Sequence, residues 1–230
     1  MASTRRGRWR GEPLRPHILG IEEVRAHQRD RIARAILECV AVSGYQSTTV
    51  AEIATTARVS PNAFYEFFAD RADGFLTVAR EAAIDLLNEL LATREEQNWI
   101  GALNRGFDIY LRSWGARPAF GRAYFLGLPE LGEPGRALLN EINDAYAAMF
   151  RDLGRRARLE QPRLPPLPEI VPRAIVSVVY DLVVEHVRKG QGNALIKLHA
   201  PLFSLSLRLL ADDQTATAVL AQASRVDLAE

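Results

Sequence analysis

Between Thr48 and Phe68 the stretch TTVAEIATTARVSPNAFYEFF holds two helical patterns with almost nothing between them. Thr49 and Glu52 have the spacing of a capping box, in which the threonine oxygen takes an orphan N–H and the glutamate reaches back. Val50, Ile53, Ala54 and Ala57 give the first helix an apolar side. Ser60 is a second cap, with Pro61 at the first helical position, where a missing N–H costs nothing. Phe64 and Phe68 then share a face at i,i+4. Helices of about two turns do not persist alone in water. They must be held by a third, and the segment before them supplies it. From about Glu22 the pattern is helical, Ile32, Ile36 and Val40 recur every fourth residue, and Gly44 is a C-terminal stop. This predicts a three-helix unit, with Cys39 on or beside its buried face.

The rest of the chain is written almost entirely in helical period. A fourth helix is expected from near Asp70 to about Arg94, with no flexible linker before it, so that it bridges two domains. Further helices are expected over WIGALNRGFDIYLRSW, around FGRAYFLGL, and from about Gly135 to Leu159. The proline-rich QPRLPPLPE must interrupt the run. Two strongly apolar helices follow, with Pro172 suited to the first turn of one and Pro201 expected to bend the other. The β-branched AIVSVVYDLVVEHV invites a strand reading, but its length and flanks favour a helix. The fold class is therefore all-α: an N-terminal three-helix bundle over residues 22–76, then a larger helical domain over 77–213. An arginine-rich mobile arm is expected over 1–21 and a C-terminal tail over 214–230.

The chain has 230 residues, enough for a full core, and a formal net charge of +1 that hides an uneven distribution. Residues 1–34 hold nine arginines against four acidic residues, whereas residues 35–75 are net acidic. One cysteine excludes an internal disulfide framework and fits a reducing compartment. No apolar run approaches the roughly 20 residues that span a bilayer, and the basic start lacks an apolar h-region, so a cytoplasmic protein without membrane contact is expected. No phosphate loop, nucleophile elbow or zinc-spaced histidine pair is present; His17, His27, His186 and His199 are scattered. No catalytic residue, metal or cofactor is expected.

Two short helices at a tight turn, with small polar and aromatic residues outward, have the shape of a helix-turn-helix. Its second helix fits a major groove about 12 Å wide. Once Phe64 and Phe68 turn inward, Pro61, Asn62, Tyr65 and Glu66 are left outside. Asn62 suits a base edge or a phosphate, and Tyr65 a phosphate. Thr49 and Ser60 bring hydroxyls and free N–H groups to the phosphate chain, and Arg71 lies at the far edge. The physics leaves open a helical protein-interaction or ligand-carrier module, since the caps are needed with or without DNA.

The segment ILECVAVSGYQSTTVAEIATTARVSPNAFYEFFADRADGF resembles the N-terminal domain of the tetracycline-repressor (TetR) family of bacterial transcription regulators. The likeness rests on Gly44-Tyr45, Thr48-Thr49-Val50, Ile53-Ala54, Val59-Ser60, Phe64-Tyr65 and Phe68, over about residues 30–76. It implies an all-helical homodimer on palindromic operator DNA, usually a repressor released by a small ligand. It also implies phosphate contacts from Thr49, Tyr65 and Arg71, with Ser60, Pro61 and Asn62 at the base-facing end. Arg58 stands where the family commonly has glycine, Asn62 and Ala63 where glycine and threonine are frequent, and Arg71 where lysine is usual. Glu66 should repel phosphates and so alter specificity.

Two further surfaces are expected. Val179, Leu182 and Val183, with Leu198, Leu202 and Leu205, form apolar faces broad enough for a dimer interface, though the same faces would also close a single core. Phe107, Tyr110, Trp114, Tyr146 and Phe150 are candidate liners of a pocket for a small hydrophobic or aromatic effector, with Arg105, Asp108, Asn143 and Asp144 as candidate polar groups.

Overall fold

The computed structural model describes residues 20–227, and among them every regular element is helical. Most of the arm expected over residues 1–21, with its arginines, lies outside the described residues; from Ile21 the chain is already helical. The first helix, α1, runs Ile21–Ser43, and ends where Gly44 turns to φ 78° and returns its N–H to the Val40 carbonyl. Helices α2 (Val50–Ala57) and α3 (Pro61–Tyr65) pack on it through Ile53, Ala57 and Phe64, and Phe68, in the turn after α3, joins them, all buried with Ile32, Ile36 and Val40. Cys39 is buried in the same core, its Sγ 3.4 Å from Thr56 Oγ1. Helix α4 (Arg71–Leu91) is continuous from this unit into the larger domain, then tightens to a 3-10 turn over Ala92–Glu95.

The larger domain begins with α5 (Trp99–Gly115). A compound segment follows: α6 (Pro118–Arg122), a π-helical turn over Ala123–Gly127, and α7 (Leu128–Glu130). The long α8 (Glu133–Glu160) and α9 (Ile170–Arg188) are separated by the proline-rich stretch, as its missing N–H groups require. The β-branched run inside α9 is helical throughout.

Two elements differ from the sequence expectation. Pro201 does not bend a long helix. It sits in the first turn of α10 (His199–Leu210), and the chain before it is 3-10 over Gly192–Leu198. A proline ring clashes with the carbonyl four residues back, so the helix starts afresh instead of continuing through. The region expected as a tail from 214 is helical: α11 spans Asp213–Asp227, with Thr215 and Ala216 buried. Asp212 caps it, accepting the Thr215 N–H at 2.7 Å, and Arg163 donates to the Thr215 hydroxyl.

The compound segment docks the larger domain onto the smaller one. Arg122 donates to the Ala41 carbonyl at 2.9 Å, and Gln46 exchanges two hydrogen bonds with Glu130, one to its carboxylate and one to its carbonyl. Gly127 lies so close to α1 that a Cβ there would sit 2.6 Å from a Val40 methyl. No helix among the described residues is long and apolar enough to cross a membrane.

Candidate functional site: nucleic-acid interface and apolar cavity

The turn between α2 and α3 is built from local chemistry. Thr49 caps α2, its hydroxyl accepting the Glu52 N–H at 3.1 Å, while the Glu52 carboxylate lies beside the Ser43 hydroxyl. At the other end Arg58 takes the left-handed conformation, φ 55° and ψ 49°. Its N–H bonds to Thr55 O and that of Val59 to Ala54 O, the pair of bonds that closes a Schellman turn. The turn is thus formed despite lacking glycine. Ser60 caps α3 by accepting the Ala63 N–H at 3.2 Å, and Pro61 opens it.

Thr49, Ser60, Pro61, Asn62, Tyr65 and Glu66 are all exposed, Tyr65 at 56%. Phe64 is fully buried and packs on Phe68 at 5.5 Å, which turns the opposite side of α3 outward. Arg71 is placed differently. Its guanidinium lies 4.2 Å over the Tyr45 ring and donates to the Gln46 and Thr48 carbonyls, so it braces the loop leading into α2 from below. Tyr45 is buried and stacks on Phe75 of α4. This bracing role was not readable from the sequence, because its partners lie more than twenty positions away.

The larger domain holds a partly open cavity of about 280 Å³ between the C-terminal end of α4 and helices α5, α8 and α9. Phe107, Tyr110, Tyr146 and Phe150 line it, together with Leu90, Leu103, Met149, Val176, Val179 and Tyr180. Trp114 does not. It is buried one turn further on, within 5.2 Å of Phe120, Tyr124 and Phe125 ring centroids, in the core that docks onto α1. Of the four candidate polar groups only Asn143 reaches the cavity; Asp108 pairs with Arg105 and Arg112, and Asp144 with Arg173.

Beside Asn143, the polar groups that line it are Thr93, Arg94, Asp152 and Arg156. Arg94 pairs with Asp152 at 3.0 Å, and Arg156 with Glu160 at 2.6 Å while donating to the Arg94 and Glu96 carbonyls. The Asp152–Arg156 spacing on one helical face was the available signal, overlooked beside the aromatic residues. Burial holds the phenols of Tyr110, Tyr146 and Tyr180 above the ordinary tyrosine range, so all three are neutral at physiological pH. The cavity is apolar with neutral phenols at one end and a charged rim at the other.

The residues expected at a dimer interface divide. Val179, Val183, Leu198 and Leu202 are buried within the single chain, at 7%, 0%, 8% and 1% exposure, and serve its own core. Leu182 is partly open and Leu205 exposed. The histidines do not converge: His186 bonds to Leu182 O within its own helix and His199 to Asn104 O of α5.

Comparison with known proteins agrees with this geometry. Residues 32–76 match the family "Bacterial regulatory proteins, tetR family". No curated protein matches the chain. Among solved structures, the fatty acid degradation regulator FadR of Bacillus halodurans superposes with a TM-score of 0.73 at 19% identity, over 82% of this chain and 97% of that one. FadR of Bacillus subtilis, solved with stearoyl-CoA, gives 0.69 at 18% identity, over 80% and 97%. A tetR-family regulatory protein of Rhodococcus RHA1 gives 0.63 at 20% identity, over 80% and 97%. At these identities the likeness is one of fold, and it extends through both domains. Residues 32–76 thus match the tetR family of bacterial regulatory proteins in sequence, and both domains of the chain match solved regulators in fold.

Proposed function

We propose that the protein is a homodimeric repressor, released from operator DNA by an amphipathic ligand whose apolar tail occupies the cavity. The observation that carries this is the path of α4. Its first residue, Arg71, braces the loop that enters the helix-turn-helix, while Leu90 near its end and Thr93 and Arg94 of the 3-10 turn that continues it line the cavity wall. A ligand that moves the far end of such a rod moves the near end, and with it the spacing between two recognition helices. DNA affinity then falls only by the difference in ligand affinity between the two spacings, and the linkage is reciprocal.

The chemistry of the cavity supports the ligand class. An apolar interior with a rim of Arg94, Asp152 and Arg156 suits a hydrocarbon tail and a polar or anionic head. That two fatty acid regulators share the fold, one of them bound to stearoyl-CoA, supports an acyl ligand. On the DNA side we assign phosphate contacts to Thr49, Ser60 and Tyr65, base contact to Pro61 and Asn62, and to Arg71 a role shared between bracing and phosphate.

Selection of bound fragments from genomic DNA, followed by titration of the selected duplex against a scrambled one, tests the regulator. Fatty acids and their coenzyme A thioesters are then titrated into the complex. Equal affinity for both duplexes would end the operator reading. A ligand that binds the protein without changing operator affinity would end the release mechanism.

A further inference from the structure

We propose that Gly106 sets the length of tail that the cavity accepts, a proposal that rests on the cavity being the effector site. Glycine inside a helix is destabilising by about 1 kcal/mol relative to alanine, so each such glycine needs a physical reason. For several in this fold the reason is contact. A Cβ at Gly74 would lie 3.1 Å from Ile36, one at Gly154 2.5 Å from Leu167, and one at Gly135 would collide with the Leu128 carbonyl.

Gly106 has no such reason. It lies near the middle of α5, has no positive φ, and a Cβ there would meet nothing within 4 Å. The space beside it belongs to the cavity, which Gly106 lines. Helices α5 and α8 run antiparallel here: the Trp99 N–H bonds to Glu160, Phe107 faces Phe150 at 6.1 Å, and Tyr110 faces Tyr146 at 5.7 Å. Depth in the cavity therefore follows α5 from its first turn toward Tyr110. Gly106 falls between the charged rim and the tyrosine end. A side chain at this level would close the passage between them.

The test measures binding of a homologous series of saturated fatty acids, and of their coenzyme A thioesters, to the full chain by calorimetry. Wild type is compared with Gly106→Leu, Gly106→Ala and, as a control for helix propensity, Gly101→Ala. Gly101 lies in the first turn of the same helix, does not line the cavity, and has only ordinary contacts for a Cβ. The expected result is an optimum moved to shorter tails in Gly106→Leu, with affinity for the longest tails lowered on the order of tenfold, the equivalent of about two methylenes left unburied. Gly106→Ala should move the optimum the same way by less while raising the melting temperature of the ligand-free protein. Gly101→Ala should raise it without moving the optimum. If wild type binds the series and both Gly106 variants keep its length preference, the gate is wrong and the effector site stands. Should wild type bind no member, both fall. If Gly106→Leu does not fold, Gly106→Ala decides.

Discussion

Arg58 holds a conformation in which its Cβ crowds the neighbouring backbone, at a cost of roughly 1–2 kcal/mol for a residue other than glycine. Arg58→Gly removes that strain but also gives the unfolded chain more freedom. The net expected gain is about 1 kcal/mol, read as a raised melting temperature, with the turn and its two hydrogen bonds unchanged. Arg71 should behave in the opposite way. Arg71→Ala leaves the Gln46 and Thr48 carbonyls without their donor and the Tyr45 ring without its cation. A loss of about 1–3 kcal/mol of stability is expected, so a fall in DNA affinity must be read beside a melting curve. Cys39 gives a third prediction. Burial raises its thiol above the ordinary cysteine range, so a disulfide reagent should leave the native protein unmodified near neutral pH and react fully on unfolding. The sign for stability follows: the unfolded thiol ionises first, near pH 8.5, so stability falls as pH rises from there through the higher folded value. Fast labelling of the folded protein would show Cys39 to be accessible. The caps at Thr49 and Ser60 were readable in the sequence because they act within three residues; the partners of Arg71 were not, because only the fold brings them near.

At the scale of elements, the first three helices and the continuous α4 were legible because their apolar periodicity and their punctuation agree. Where the two disagree, the reading failed. The apolar pattern runs on through Pro201, yet the proline forces a new start; Ala and Thr dominate α11, too weak a pattern to mark a helix that Asp212 nonetheless caps. The π-helical turn over Ala123–Gly127 has no sequence signature at all. It carries Tyr124 and Phe125 into the aromatic core and delivers Glu130 to the loop before α2. Glu130 thus tethers the same loop that Arg71 braces. Glu130→Ala frees the Gln46 N–H, and about 1 kcal/mol of local stability should go with it. Hydrogen exchange is the suitable measurement. Amides of residues 44–49 should exchange faster while those of α9 stay unchanged; uniform acceleration would instead mean a global loss, and no change would mean the tether carries no load.

For the whole molecule the question is how one recognition helix becomes two. On the operator reading proposed above, two half-sites lie about 34–36 Å apart, and a single chain would be only half a reader. The sequence made α9 and α10 the natural interface, but it could not say which of their apolar residues the chain needs for itself. Burial divides them: Val179 and Leu202 face inward, whereas Leu182, Leu205 and the partly open Val178 and Leu209 look outward on the same two helices. We propose the outward row as the surface on which a second copy packs in a two-fold bundle. The two groups should then respond differently to the same substitution. Leu182→Asp or Leu205→Asp places a carboxylate where the folded monomer can keep it wet, but where a dimer must desolvate it. Folded monomers with impaired operator binding are expected. Val179→Asp or Leu202→Asp buries the charge inside the monomer, and loss of folding is expected instead. Sedimentation at low micromolar concentration, with circular dichroism on the same samples, separates the outcomes. A wild-type monomer throughout that range would defeat the dimer. A stable dimer that survives both outward substitutions would move the interface to another face.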